Sequence, residues 1–535
     1  MIVLLSIVLA ASTGSGSPPS FRVGIELPSQ VPATGAVENA LKDMGIGFVN
    51  FYVSNTPAHD LPEDETVAAM IALCERLGLD FALACHHRDP SEASVRAASA
   101  SAAHFEGVVF DELAHIRLLH PEFAPPDGEG LFADPTEFQS LQEAWQGTFD
   151  GFTRLATKMR GYGAPRVVAT HVWPNLLHTA ARAGFTPCPK ICKEFYSPVS
   201  LANGLGAALQ YESDLWVDCD MWYFQLVPGH PPQEVWSNLL LAYWLGADLV
   251  YLEGAGYNLF PAGRQGTPFS LVNVHQDRLY QLTPHGEMLK RFCREYLPAH
   301  PRPWTFRDIR PEVAIIRFED GDFGQRSWGV PGLYGSKTLV GDADTRAWLS
   351  LWNVLTRGRT GADGLAYFKI GAKGPKHDSR HHVEVTPSYA TDPEAAAFHS
   401  FFVPLNGVVV FDDHVGYDLL HNIPLLFLTG KQLSPETAKA ARRCVEEGAV
   451  CVAWGPLAVR CGLVESWTGG VVVVPTGKGR YVFTDDFAAP EAVAEYENWI
   501  AQEDEIRYRF ANHTVILRRT ASDNEVAVEV LPNDP

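Results

Sequence analysis

Residues 214–258 read DLWVDCDMWYFQLVPGHPPQEVWSNLLLAYWLGADLVYLEGAGYN. An apolar run, DLWVDCDMWYF, leads into a helical stretch, EVWSNLLLAYWLG, and then into a second run, ADLVYLEGAGYN. The helical stretch closes on a glycine, a common helix stop. Short runs that are apolar throughout suit parallel strands covered on both faces. The same unit recurs outward from here, between Phe21 and about Tyr296. Earlier strands read FRVGIELP, GIGFVNFYVS, DFALACHH, FEGVVFDELAH, PRVVATHVW and PKICKEFYSP. Helical stretches such as DETVAAMIALCERLG and TEFQSLQEAWQGTFDGFTRLATKMRG lie between them. Eight strands alternating with helices over about 275 residues predict an α/β fold of the (β/α)8 TIM barrel type, spanning 21–300. A doubly wound sheet is the competing reading. It would want a glycine-rich first turn, and IELPSQ is not one.

The rest of the chain follows from that frame. Pro301–Arg310 (PRPWTFRDIR) reads as a linker. A second α/β unit is expected over 301–460, with strands PEVAIIRF, NGVVVFDD, IPLLFLTG and AVCVAWG. Its helix SPETAKAARRCVEEG has Ser434 to cap it, Pro435 at its first position and Gly448 to end it. From 461 to 535 the runs GGVVVVPTG, GRYVFTDD, EIRYRFANHTVILRRT and NEVAVEVLP predict a small β-rich domain. Met1–Ala11 is apolar apart from Ser6, and a small polar stretch follows to Ser20. Residues 1–20 thus read as a secretory signal and its cleavage region, which implies a secreted or periplasmic protein. No stretch is long and apolar enough to predict a membrane span.

Composition narrows the function. Of 535 residues, 42 are Lys or Arg and 63 are Asp or Glu, a net charge of −21. So acidic a chain without a basic run is a poor nucleic-acid binder. Aromatics make up 11%, with 13 Trp and 17 Tyr, which suits flat ligands such as sugars. The nine cysteines show no C-x-x-C pair, and Cys188 and Cys192 have no matching second pair. No H-E-x-x-H, G-x-S-x-G or dinucleotide glycine pattern occurs, so no metal or cofactor is expected.

Barrel enzymes carry their reacting groups at the C-terminal strand ends. Those ends are acidic here: Glu26, Asp111, Glu112, Glu194, Asp218, Asp220 and Glu253. His86, His87 and His171 join them, among Tyr52, Trp173, Tyr196, Trp222, Tyr223, Tyr251 and Tyr257. A single acid at a strand end commonly caps a helix. A ring of them, in a barrel read as poor in Lys and Arg at that end, points elsewhere. Glycoside hydrolysis needs one carboxylic acid to protonate the leaving oxygen and a second carboxylate to attack or to activate water.

Three stretches carry a family resemblance. FDELAH at strand four resembles the acid/base site of clan A glycoside hydrolases, with Glu112 in the Glu position and Asp111 where Asn is usual. LTPHGEMLKRFCREYLPAHPRP resembles the helix that ends such barrels. The unit containing VVVFDDHVGYDLL and PLLFLTGKQLSPETAKAARRCVEEGAVCVAWG resembles the amidotransferase-like domain of family 42 β-galactosidases. The resemblance implies a β-galactosidase-like glycosidase acting on an oligosaccharide or glycoside. It also implies a homo-oligomer held by an amidotransferase-like unit without a nucleophile.

Glu112 is expected as general acid/base and Glu194 as nucleophile. Glu26, Tyr52, Asp111, His171, Asp218, Asp220, Trp222, Tyr223, Tyr251 and Glu253 are expected to hold substrate, with Glu253 the reserve second carboxylate. Facing carboxyls should lie about 5–5.5 Å apart for retention and about 6.5–9.5 Å for inversion. The Asp111–Glu112 pair also resembles that of N-acetylhexosaminidases, which implies a substrate-assisted alternative. A non-catalytic carbohydrate-binding or scaffold barrel is the alternative from another class.

Overall fold

The computed structural model describes residues 21–28, 35–54, 63–86, 88–119, 132, 138–171, 174–192, 196–221, 230, 232–254, 271–275, 279–320, 333–336, 338–360, 402–520 and 526–533. Eight parallel strands close into a barrel in chain order. They are β1 (Arg22–Pro28), β2 (Phe48–Ser54), β3 (Asp80–Cys85), β4 (Phe105–Phe110), β5 (Val167–His171), β6 (Thr186–Ile191), β7 (Trp216–Asp220) and β8 (Leu249–Glu253). Helices α1 (Gly35–Met44), α2 (Glu63–Leu77), α3 (Glu92–Ala100), α4 (Leu141–Tyr162), α5 (Leu177–Arg182), α6 (Ser197–Gln210) and α7 (Pro232–Leu245) separate the strands, and α8 (Pro284–Arg291) follows. Between α7 and α8 lies a hairpin, β9 (Val272–His275) with β10 (Leu279–Leu282). The predicted α/β barrel is therefore the observed fold.

Side chains along each strand alternate between the barrel interior and the helix layer. Phe48, Ala82, Val109, Val168, Cys188, Trp216, Leu249 and Tyr251 form an inner apolar cluster. Val23, Ile25, Phe51, Val167, Ala169, Val217 and Leu252 belong to the outer core. This parity decides which residues near the strand ends can meet over the interior.

A second, six-stranded sheet has the order β13-β11-β14-β15-β17-β16. Its strands are β11 (Val313–Arg317), β13 (Val408–Asp412), β14 (Leu425–Thr429), β15 (Val450–Trp454), β16 (Val472–Thr476) and β17 (Gly479–Thr484). A third sheet joins β12 (Leu405–Asn406) to β18 (Glu505–Arg509), β19 (His513–Arg519) and β20 (Val526–Pro532). GGVVVVPTG and GRYVFTDD were expected in the β-rich tail. They instead extend the second sheet, because β17 pairs in parallel with β15 and β16 folds back on β17.

The stretch read as a linker is packed. Arg302 and Trp304 are buried, and Arg302 donates to the carbonyls of Tyr243 and Ala247. Trp304 stacks on Phe510, ring centroids 4.9 Å apart. This segment is mortar between the barrel and the third sheet.

Helices α5 and α6 join barrel and second sheet. Glycines let α6 approach both. A Cβ at Gly204 would lie 2.5 Å from Pro189 on β6, and one at Gly206 would collide with the Val410 carbonyl on β13. Helix α5 has no side-chain cap of its own, since Leu176 holds the cap position with φ 60°. Glu319, just after β11, supplies it. Its carboxylate accepts from the Thr179 N–H at 2.7 Å and the Thr179 hydroxyl at 2.8 Å. His178 touches the same carboxylate at 3.2 Å and the Val410 carbonyl at 2.8 Å.

No helix among the described residues is long and apolar enough to cross a membrane. Among the described residues the nine cysteines form no disulfide, and seven are buried. Residues 1–20 and the histidines at 377, 381 and 382 lie outside the described residues.

Candidate active site

The ladder from β3 carries Asp111 past the end of β4, where its N–H donates to the Cys85 carbonyl at 2.8 Å. The next residue, Glu112, turns into the left-handed region at φ 50°. For a residue with a Cβ this conformation costs about 1–2 kcal/mol. Thr170 holds the turn. Its Oγ1 accepts from the Glu112 N–H at 2.7 Å and donates to Asp111 Oδ1 at 2.7 Å. The Tyr52 hydroxyl donates to Asp111 Oδ2 at 2.5 Å. The strain is thus spent on aiming two adjacent carboxyls.

Strands β7 and β8 supply the far side. Their register sets Asp218 beside Tyr251 and Asp220 beside Glu253. All four are inward positions by parity. The Tyr251 hydroxyl donates to Asp218 at 3.0 Å. Glu26 on β1 accepts from the Gly254 N–H at 2.8 Å. His86, after β3, approaches Glu112 at 3.4 Å.

The residue that organises this ring is Lys190 on β6. Its side chain is fully buried. Its Nζ lies 2.5 Å from Glu253, 2.9 Å from Asp111, 3.0 Å from Asp220, 3.3 Å from Glu112 and 3.7 Å from Asp218. The sequence reading described this mouth as poor in lysine and arginine. That description is corrected by one ammonium at its centre. The signal was present: a lysine inside TPCPKI, at the inward parity of a covered strand, has no route to water.

Six carboxyls around one ammonium cannot all ionise in a buried site. Burial alone would raise the Asp111 carboxyl, but the charges of Lys190 and His86 and the Tyr52 hydroxyl outweigh it and hold it below the usual range. Burial, then the charges of Asp111 and Asp220, push Glu253 well above it. Burial likewise raises Glu26. It raises Asp218 to about 7, against the pull of Lys190. Burial would lower the lysine, but its ring of carboxylates holds it far above its ordinary value. Lys190 is therefore a fixed cation and has no lone pair with which to act as a nucleophile.

The oxygens of Asp111, Asp218 and Glu253 lie within 4.8 Å of one another, as do ligand atoms of His86, Asp111 and Glu112. The first set could hold a metal ion only by displacing the ammonium that already touches all three.

Most of the expected residues converge: Glu26, Tyr52, Asp111, Glu112, Asp218, Asp220, Tyr251 and Glu253. His171 does not. It neighbours the inward Thr170, so it points to the helix layer, where burial lowers its imidazole to about 4. Glu194, Trp222 and Tyr223, like His87, Trp173 and Tyr257, lie outside the described residues. Asp111 is poorly placed to steady a substrate acetamide, because Tyr52, Thr170 and Lys190 already occupy its two oxygens.

No family model matches the chain, and no curated protein matches it. Solved structures share its outline. An exo-β-1,4-mannosidase, Op5Man5 from Opitutaceae bacterium strain TAV5, is 12% identical over 96% of this chain and 91% of its own, with a TM-score of 0.44. GH5_18 from Streptomyces cattleya, solved with GlcNAc, is 15% identical over 74% of this chain and 99% of its own, at 0.39. A Thermomonospora fusca β-mannanase, solved with mannotriose, is 11% identical over 53% and 92%, at 0.33. Likenesses this distant describe an outline and carry nothing about the chemistry of the site.

Proposed function

We propose that this protein is a glycoside hydrolase working at the C-terminal mouth of its barrel. One observation carries the reading. Carboxyls from opposite walls, Asp111 and Glu112 by β4 and Asp220 and Glu253 on β7 and β8, meet around one point. Two oxygens that touch the same nitrogen cannot be further apart than the two contacts laid end to end. Contacts of 3.3 and 2.5 Å keep the nearest oxygens of Glu112 and Glu253 below the about 6.5 Å at which inverting spacing begins. The arrangement favours retention.

The roles follow from the surroundings. Burial and the neighbouring carboxylates push Glu253 well above the usual carboxylate range against the pull of Lys190, which suits the proton donor to a leaving oxygen. Glu112 faces it across the ammonium and has the more exposed side chain, 13% against 8%. It takes the part of the attacking carboxylate. This exchanges the role expected of Glu112 for its partner's and moves the second carboxyl from Glu194 to Glu253. For the sugar we propose a β-galactosidase-like specificity, on the family 42 resemblance of the three stretches taken together.

The test is hydrolysis of a panel of aryl glycosides, β-galactosides first, by wild type and by Glu112→Gln, Glu253→Gln and Glu194→Gln. Loss of a general acid costs about 10²–10⁴-fold. Glu253→Gln should lose that on poor leaving groups and recover on dinitrophenyl glycosides, which need no proton. Glu112→Gln should stay inactive on both, and Glu112→Gly, which leaves room for the anion, should regain turnover when azide is added. The reverse pattern would restore Glu112 as the acid, and an inactive Glu194→Gln beside an active Glu253→Gln would return the second role to Glu194. If no sugar is cleaved but several bind by calorimetry, the barrel is a binding module.

A further inference from the structure

We propose that Lys190 is the positioning residue of this site: its ammonium, clamped on the pocket floor between the two walls, decides which carboxyl carries charge and which carries the proton. The proposal deepens the hydrolase reading and rests on it for its catalytic meaning.

Geometry is the first support. Lys190 is the sixth-strand residue at the level where the walls meet, and it touches both. The ammonium is closed off from solvent, whereas Glu112 and Glu253 keep some exposure. It therefore lies beneath the carboxyls and not between them and a substrate. A point charge on a flexible stem has three donors, and five carboxyl groups share them here.

Charge balance is the second. The groups facing the ammonium are Glu26 from β1, Tyr52 from β2, His86 after β3, Asp111 and Glu112 after β4, Asp218 and Asp220 from β7, and Tyr251 and Glu253 from β8. Cys188 shares its strand. Lys190 contacts five of the six carboxyl groups of this ring. Take it away and Asp111 loses its strongest source of stabilisation as an anion. The carboxyls that it touches then hold their protons to higher pH, Asp111 among them. Glu253 loses the pull of the ammonium at the same time as a neutral Asp111 relieves the repulsion that keeps its proton on, so the charged and the protonated carboxyl are no longer held apart. One side chain thus helps set the difference between a charged carboxyl, Asp111, on the wall that carries Glu112 and a protonated one, Glu253, on the wall opposite.

Lys190→Met is the direct experiment, read in two ways. In kcat/KM against pH, the acid limb should move up by a unit or more, with a loss of about a hundredfold at the wild-type optimum. In isotope-edited infrared spectra at neutral pH, a further protonated-carboxyl band should appear, and Asp111→Asn should remove it. A lysine that only fills space would lower the folded fraction and leave both profiles in place. An unmoved acid limb with no new carboxyl band therefore overturns the proposal. The infrared arm needs no substrate. If wild type cleaves nothing, the hydrolase reading falls while the proton partition is still decided.

Lys190→Met leaves anions buried without their cation, so it is paired with Lys190→Met/Asp111→Asn, which removes one charge of each sign. The double variant should fold better than the single one, read by denaturant midpoint. Equal or worse folding of the double variant overturns the charge-balance argument even if the single variant never folds.

Discussion

The two mouths of the barrel hold similar residues and put them to opposite uses. At the N-terminal mouth Arg22 bridges Asp80 and Glu106, Arg166 bridges Glu106 and Asp214, and Arg307 bridges Asp214 and Asp248. Three arginines meet four carboxylates there, at the edge of solvent. At the C-terminal mouth, among the described residues, five carboxyls touch one lysine, and that lysine is buried. In the first arrangement every carboxylate touches an arginine. In the second, burial and mutual repulsion drive the carboxyls apart in proton affinity. Balance makes a clamp, and imbalance makes a site.

The largest stability effect is expected at neither mouth, and it gives the comparison its scale. Glu319 is buried, and His178 and Thr179 hold its carboxyl down to about 2 against the cost of burial. Glu319→Ala removes the cap of α5 and leaves His178 without its anion, at a cost of about 3–5 kcal/mol in a denaturant titration. A carboxyl whose folded value is depressed gives stability above its unfolded value and loses it as pH falls. The Glu319 share is thus present above about pH 4.5 and fades toward pH 2. His178 is raised by the same contact despite burial, so its share is complete below about pH 6.5 and is lost at higher pH. The Glu319→Ala deficit should therefore be widest between about pH 5 and 6.

At the balanced mouth Arg22→Met should cost about 2 kcal/mol, since it takes one cation from Asp80, which keeps His104, and from Glu106, which keeps Arg166. It should leave the pH profile of any activity where it was. A shifted profile would break the separation between the two mouths. At the unbalanced mouth the sign reverses. Asp218, raised by burial to about 7, folds with its proton on. Its ionisation taxes folding from about pH 4 upward, in full above about pH 7. Asp218→Asn should then stabilise the protein by about 1–3 kcal/mol at pH 8 and by almost nothing at pH 4, at the expense of turnover. A destabilised Asn variant at pH 8 would show that the charge there is wanted for the fold. The smallest effect is expected at Arg307, whose side chain is 46% exposed. Arg307→Ala should cost less than about 1 kcal/mol and should fade in salt.

The strands of the barrel were legible because each is an apolar run closed by a turn residue. The acids at their ends were legible because charge in that place has few ordinary uses. Three things were not. Lys190 sits one residue inside a strand, and a search confined to strand ends and to carboxyls passes over it. The stretch 301–310 is rich in Pro and Arg like an exposed linker, yet its arginine and tryptophan find partners contributed by Tyr243, Ala247 and Phe510, all remote in sequence. Helix α5 carries no local start signal, since its cap arrives from residue 319. His171 was misplaced for the opposite reason: a strand end was taken as sufficient, when parity decides which face its side chain serves.

That borrowed cap has a consequence for how the molecule comes apart. A helix started by a residue about 140 positions later in the chain is not complete when the barrel segment alone has been made. The barrel should wait on the ribosome for β11 before α5 and α6 settle. A protease that nicks the chain between the two lobes should release neither as a working piece. The protein should melt in a single transition, with both lobes lost together, although its sequence reads as a string of separable domains.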